Sequence, residues 1–172
     1  MTPNPPHAVP VPPAVTRRHS QVVRGRLARR LAAFVGAAVV LCAVVVWQRD
    51  ARHIEAARAE MGALLKPLQQ YLDEHAGLPA AYPDEPGTVS PIDTGAFRYA
   101  DADVIRWAKT AGRPVVIAHG RSQGLIARPN GYAVIVYDRG TLRVDWMPGS
   151  RLGPSLDEQR SLATAGQAAD SR

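Results

Sequence analysis

A serine flanked by glycines offers the clearest candidate nucleophile in this chain. Gly120, Ser122 and Gly124 match the G-x-S-x-G pattern, in which the serine of many hydrolases stands on a sharp turn between a strand and a helix. His119 comes just before the pattern, but Pro129 follows too soon after it for the supporting helix to fit. We therefore predict a glycine-rich loop here, and a small membrane-anchored hydrolase that uses Ser122 remains an alternative.

Histidines and cysteine could bind a metal ion if their spacing brought them together. His53, His75 and His119 show no helix or hairpin ligand spacing, and Cys42 is the one cysteine in the chain. Structural zinc sites combine several such ligands at short, regular intervals. The sequence accordingly predicts no metal site.

Two groups of acidic residues resemble the carboxylate pairs of acid–base catalysis. Asp101 and Asp103 stand at the start of a helical pattern, where acidic side chains favour the helix dipole. Asp73 and Glu74, followed by His75, form the polar end of another helical pattern. We predict that these groups are structural, that the chain has no catalytic residue or cofactor, and that it is not an enzyme.

The main organising element is the uncharged apolar run at residues 31–47, which reads LAAFVGAAVVLCAVVVW. A helix of this length covers about 26 Å, against a hydrocarbon core of about 30 Å. Arg30 and Arg49 flank it and can reach outward to the headgroups. We predict an uncleaved transmembrane helix here, since no small-residue cleavage site follows it.

The charge distribution predicts the orientation of this helix. The formal net charge is +6, and residues 1–30 hold six arginines and no acidic residue, which leaves fifteen basic and fifteen acidic residues in the rest. A basic excess confined to one flank follows the positive-inside rule and argues against a nucleic-acid surface. We expect a single-pass protein of a bacterial inner (plasma) membrane, with a cytoplasmic N-terminus and an extracytoplasmic C-terminal domain.

The basic flank and the membrane helix each suggest a contact. Residues 1–30 are proline-rich at their start, so we predict a disordered cytoplasmic tail whose arginines contact anionic lipid headgroups. Ala32 and Gly36 lie four residues apart, a spacing of small residues that allows close packing between membrane helices. The expected partners are therefore the lipid bilayer, a second copy of the chain through this face, and other envelope proteins.

Residues 48–150 predict an extracytoplasmic α+β domain. Apolar residues recur at three and four positions over residues 51–75, which indicates an amphipathic helix that continues from the span, with Pro67 inside it. Prolines and glycines predict a surface loop over residues 80–97, and a short helix follows over residues 101–111.

The last third of the chain predicts a small antiparallel β-meander packed on the long helix. The expected strands are residues 114–118, 125–128, 132–137 and 141–146, separated by turn residues. Residues 132–137 are apolar on both faces, which predicts a central strand. Residues 151–172 are rich in small and polar residues, and we predict a flexible C-terminal tail.

This order of elements resembles that of type IV pilins and type II secretion pseudopilins. The segment LQQYLDEHAGLP at residues 68–79 is similar to the tyrosine, acidic residue, glycine and proline at the end of the pseudopilin helix, and residues 112–114 resemble the start of their sheet. The chain differs from them in having Arg26 after Gly25 and Arg30 in place of the helix glutamate. The resemblance implies a divergent secretion or pilus subunit, and the leading hypothesis from the residues is a non-catalytic, membrane-anchored interaction module.

Overall fold

The computed structural model describes residues 15–75, 77–83 and 90–170. Helix α1 covers Val15–His75, and the chain divides between Val44 and Val45 into two units. The predicted disordered tail therefore needs correction over residues 15–30, which are helical, whereas residues 1–14 lie outside the described part. Arginine, alanine and leucine favour helix, and a helix already nucleated at the apolar run extends at low cost.

The first unit contributes an apolar helical surface. Among the described residues, one helix, Leu27–His75, is long and apolar enough to cross a membrane, and the apolar part of it is not buried against the protein. Phe34 is 76% exposed and Leu41 is 65% exposed. Exposed apolar surface of this extent marks an interaction surface rather than a core.

The second unit, from Val45 onward, is an α+β structure built around one antiparallel sheet. The sheet has the strand order β1-β2-β3-β4, which is a meander as predicted. Its strands and helices are β1 Phe97–Tyr99, α2 Ala102–Ala108, β2 Val115–Gly120, β3 Gly131–Asp138, β4 Thr141–Pro148 and α3 Gly149–Asp170. The expectation that residues 132–137 form a central strand is confirmed, since β3 pairs with both β2 and β4.

The first face of the sheet shares a core with the C-terminal part of α1. Met61 and Leu68 from the helix lie in one buried cluster with Val115, Ile117 and Ile135 from the sheet. These are side chains of the apolar stripe that the sequence placed on one face of residues 51–75. Each fully buried side chain of this kind stabilises the fold by about 1.5–3 kcal/mol relative to leaving it in water.

The second face of the sheet is covered by α3, so the prediction of a flexible tail at residues 151–172 was wrong over residues 151–170. Leu152 lies in a buried cluster with Val116, Val134 and Val136. The buried positions of α3 are Leu152, Gln159 and Ala163. These three residues form a narrow buried stripe with one large apolar side chain, so the hydrophobic periodicity of the helix is weak in the sequence.

Three other elements also differ from the sequence prediction. Residues 125–128 do not form a strand, and in this loop a single bridge joins Gln123 to Gly131. The short strand β1 lies partly inside the predicted loop at residues 80–97, of which residues 84–89 lie outside the described part. Helix α2 is shorter than expected, and its N-cap Asp101 makes no capping hydrogen bond with its side chain.

Gly131 begins β3 at a point where the chain has no room for a side chain. A Cβ atom added there would lie 2.7 Å from the Met147 backbone oxygen and 2.7 Å from Cζ2 of Trp146. We expect Gly131→Ala to lower the free energy of unfolding by about 1–3 kcal/mol, since overpacking forces the two strands apart.

Gly124→Ala is the matched control for this prediction, because nothing lies within 4 Å of the added methyl group. Chemical denaturation of the full-length protein in detergent measures both variants. Equal stability of the two variants would contradict the steric explanation for Gly131.

Candidate functional site

The structure does not assemble the serine-based site that the G-x-S-x-G pattern suggested. Ser122 is exposed in the loop after β2. His119 points its Nδ1 toward the Gly120 oxygen at 3.1 Å, and its ring contacts Tyr132 edge-to-face at 5.6 Å. Among the described residues, no hydrogen bond joins His119 to Ser122, although both line the same cleft.

The other sequence candidates are dispersed. His53 and His75 lie on α1, and the His75 ring stacks on Tyr71 at 4.1 Å. Asp101 pairs with Arg160 of α3, whereas Asp103 pairs with Arg106 on its own helix. Within the described ranges, no group of three or more histidine, cysteine or acidic side chains could hold a metal ion.

A cleft of about 550 Å³ lies between β1 and β2 on one side and α2 and α3 on the other. It occupies the face of the sheet that α3 covers, beyond the end of the Val116–Val134–Val136 cluster. The polar side chains that line it are Arg98, Asp101, His119, Arg121, Ser122, Tyr132, Gln159 and Arg160. Three arginines against one aspartate make this cleft cationic.

A β-bulge in β2 places His119 in the cleft. Val116 pairs with Val136 and Ala118 with Ile135, so that Ile117 is the extra residue. Ile117 and Ala118 consequently both lie in the cluster on the α1 side. Since successive side chains of a regular strand alternate between faces, an unbulged β2 would direct His119 toward the core.

The arginines of the cleft differ in how firmly they are held. Arg121 donates from Nε to the Gly95 oxygen at 2.8 Å and from Nη2 to the Thr94 oxygen at 2.9 Å. Arg98 is exposed and lies opposite His119 in the β1–β2 pair, on the same face. Guanidinium groups bind carboxylates in a bidentate manner, so this end of the cleft suits an acidic side chain or a terminal carboxylate.

Gln159 closes the inner wall of the cleft by hydrogen bonding to the edge of the sheet. Its side chain is 5% exposed, and in the amide orientation that satisfies both groups it donates to the Val116 oxygen at 3.2 Å and accepts from the Val116 N–H at 3.0 Å. Strand β1 pairs with β2 as far as Tyr99 and Ala118, and the last hydrogen bond between the two segments runs from the Ala100 N–H to the Ile117 oxygen at 2.8 Å. The Gln159 amide therefore extends the ladder along β2 beyond the point where β1 ends.

Tyr99 follows Arg98 in β1 and points its phenol to the opposite face of the sheet, where it packs against the cluster on the α1 side. Burial raises its pKa well above the usual value, and the nearby Tyr71 acts in the same direction. Its hydroxyl donates to the Pro79 oxygen at 3.0 Å. Tyr99 thus remains a neutral hydrogen-bond donor and fixes the chain after α1.

A second built site surrounds Asp50, which is fully buried on α1. Its carboxylate accepts from the Ile126 N–H at 3.1 Å on both oxygens and from the Ala127 N–H at 2.7 Å. Burial raises the pKa of this carboxyl. The backbone N–H groups of the loop and the positive charge of Arg49 together lower the pKa by more than burial raises it, so that it lies below its ordinary value of 3.8. Asp50 is therefore ionised at neutral pH.

Next to Asp50, Arg128 lies over the ring of Trp47 at 3.9 Å, a cation–π contact. The Arg128 Nε atom is buried and has no hydrogen-bond partner among the described residues. Sequence reasoning missed both interactions, since it treated Asp50 as one of the charges that flank the span.

Comparisons with protein families, with curated proteins and with solved structures found no match to this chain.

Proposed function

We propose that this chain is a single-pass, membrane-anchored, non-catalytic module that binds another envelope protein through the cationic cleft. The cleft is the observation that supports this role. It is large enough for a short peptide segment, it has an apolar floor with polar groups around it, and its charge favours an acidic partner. Arg98, Arg121 and Arg160 are all exposed, and Arg121 is held in place by backbone oxygens.

Photo-crosslinking in living cells tests the cleft directly. A photoreactive amino acid in place of Arg98 is expected to give one dominant crosslinked partner. The same group in place of Arg151, which is exposed at the start of α3 and does not line the cleft, is the matched control. An equal pattern of crosslinks from both positions would contradict binding in the cleft.

Arg98→Glu adds a quantitative readout to the same experiment. Reversal of this charge is expected to weaken capture of the crosslinked partner, while the exposed Arg151→Glu leaves it unchanged. If Arg151→Glu abolishes capture and Arg98→Glu does not, the binding surface lies outside the cleft.

The membrane role is supported by the exposed apolar helix and by the arginines at one flank of it. The N-terminus is assigned to the cytoplasm and the second unit to the outside of the inner membrane, because the six arginines of residues 1–30 lie on one side of the span. Residues 31–47 span the bilayer in this proposal.

Paired reporter fusions after Arg172 test this orientation. Alkaline phosphatase, which folds outside the cytoplasm, is expected to be active there, and a cytoplasm-dependent fluorescent protein is expected to be dark. An inactive phosphatase with a bright fluorescent protein would mean that the topology is the reverse of the proposed one. Release of the protein from membranes by alkaline carbonate would contradict a transmembrane helix at residues 31–47.

A divergent pseudopilin-like subunit is the second candidate. The observation in its favour is a long N-terminal helix whose C-terminal part shares a core with an antiparallel meander. N-terminal sequencing of the purified protein separates the two roles. A start just after Gly25 would support the pseudopilin role, whereas an intact N-terminus would support a permanent anchor.

A further inference from the structure

We infer that the loop at residues 125–128 is a membrane-contact element, which seats Ile126 and Arg128 in the headgroup region of the bilayer that the apolar helix crosses. This inference rests on the membrane anchoring proposed above, and it adds a second lipid contact made by the folded unit. The binding partner is the lipid–water interface itself: the first acyl-chain methylenes below the glycerol for Ile126 and phosphate oxygens for Arg128.

The loop is fixed to one turn of α1. Asp50 accepts hydrogen bonds from two consecutive N–H groups, those of Ile126 and Ala127, at 2.7–3.1 Å. The Asn130 side chain accepts from the Leu125 N–H at 2.8 Å and holds the other end of the loop. The loop is therefore a built structure whose position is set by the helix turn that carries Asp50.

This turn of α1 lies directly after the apolar run. Trp47 is the last residue of the run, it is 54% exposed, and Arg128 covers its ring at 3.9 Å. Tryptophan at the end of a membrane helix lies at headgroup depth. Because the loop contacts Trp47, it occupies the same depth as the indole.

The side chains that the loop presents match that depth. Ile126 is 65% exposed although its backbone N–H is held by the buried Asp50 carboxylate, so its side chain points outward from a fixed backbone. Arg128 has a buried Nε without a partner in the described part and a guanidinium close to the indole. An apolar side chain next to an arginine is the combination found in interfacial membrane contacts.

Spin labels on single cysteines test the loop in lipid nanodiscs. Cys42 is first replaced by alanine, since it is the one native cysteine. A label in place of Ile126 is expected to lose most of its collisions with a water-soluble nickel chelate and to gain collisions with oxygen. A label in place of the exposed Thr141, which begins β4 and pairs with Asp138 at the far end of β3, is the control that stays accessible to nickel.

A third label separates failure of this inference from failure of the anchor. A label in place of Val39 reports the bilayer centre and should be protected from nickel if residues 31–47 span the membrane. Protection at Val39 with a fully nickel-accessible Ile126 label would overturn the loop contact alone. Nickel access at both positions would overturn the anchor and the loop contact together.

Asp50→Asn provides a second arm with the label at Ile126. Loss of the carboxylate releases the loop, so the label is expected to become accessible to nickel while the Val39 label remains protected. If the Ile126 label stays protected in this variant, the loop contacts the membrane without Asp50, and the positioning role inferred for Asp50 is overturned.

Discussion

Replacement of Gln159 by leucine is expected to lower the free energy of unfolding by about 2–4 kcal/mol, because it leaves two buried backbone groups without partners. Leucine fills a similar volume but cannot bond to the N–H and the oxygen of Val116, which is itself 3% exposed. Strand β1 cannot replace the lost amide, since its hydrogen bonding to β2 ends at the Ile117 oxygen and does not reach Val116. Denaturant unfolding of the full-length protein in detergent measures the change.

Gln70→Leu is the matched control for this change. Gln70 lies on an exposed part of α1, where its amide donates to Glu74 at 3.0 Å. The same change in side-chain chemistry should have little effect at this position, because water replaces the lost hydrogen bond. Equal losses at both positions would mean that leucine destabilises through its shape, and that the bonds to Val116 contribute little.

Gln159→Glu separates the two hydrogen bonds to Val116. An ionised carboxylate can accept from the Val116 N–H but cannot donate to the Val116 oxygen, so this variant should be unstable at neutral pH. Mild acid protonates the new carboxyl and restores a donor, and stability should then recover in part. If the stability of Gln159→Glu falls steadily with pH and shows no recovery in mild acid, the hydrogen bond to the Val116 oxygen is contradicted.

Replacement of Asp50 by asparagine is expected to detach the loop at residues 125–128 and to lower the melting temperature by several degrees. The carboxylate accepts from two backbone N–H groups, and the amide nitrogen of asparagine would turn a third donor toward them. Asp73→Asn is the control on the same helix, since Asp73 is exposed and accepts from Gln69 at 2.9 Å. Melting of the full-length protein in detergent compares the two variants.

The same carboxyl predicts how stability depends on pH. The pKa of Asp50 is lower in the folded protein than its ordinary value of 3.8, so folding favours the ionised form. Its contribution is fully present above pH 3.8 and is lost as the pH falls from that value through the lower folded pKa. In Asp50→Asn this part of the acid sensitivity should be absent, and an unchanged acid profile would contradict the assignment.

The strands that could be predicted from sequence were those with an unambiguous hydrophobic pattern. Strand β3 is apolar on both faces, and β4 alternates apolar and polar residues, and both were found where expected. Residues 125–128 look like a strand by composition, but Asp50 takes the N–H groups that a ladder would need. A hydrogen bond between residues 76 positions apart leaves no periodic trace in the sequence.

Helix α3 and the cleft were missed for a different physical reason. The buried side of α3 is made of Leu152, Gln159 and Ala163, and only the first is a large apolar residue. Without α3, the sheet has no second layer and therefore no cleft. His119 and Ser122, which the sequence analysis considered as candidates, both line the cleft, but their surroundings depend on that helix.

The extra residue at Ile117 also has a consequence for changes in chain length. Each side chain of β2 after Ile117 lies on the face opposite to the one it would occupy in an unbulged strand of the same residues. With Ile117 present, the residues that line the cleft therefore depend on the bulge as well as on their types. A chain lacking Ile117 would lose the bulge and pair regularly with β3, and it would still direct the Ala118 methyl group toward α1 and the His119 imidazole toward the cleft. The bulge therefore adds one buried isoleucine to the core without changing which side chains of β2 line the cleft.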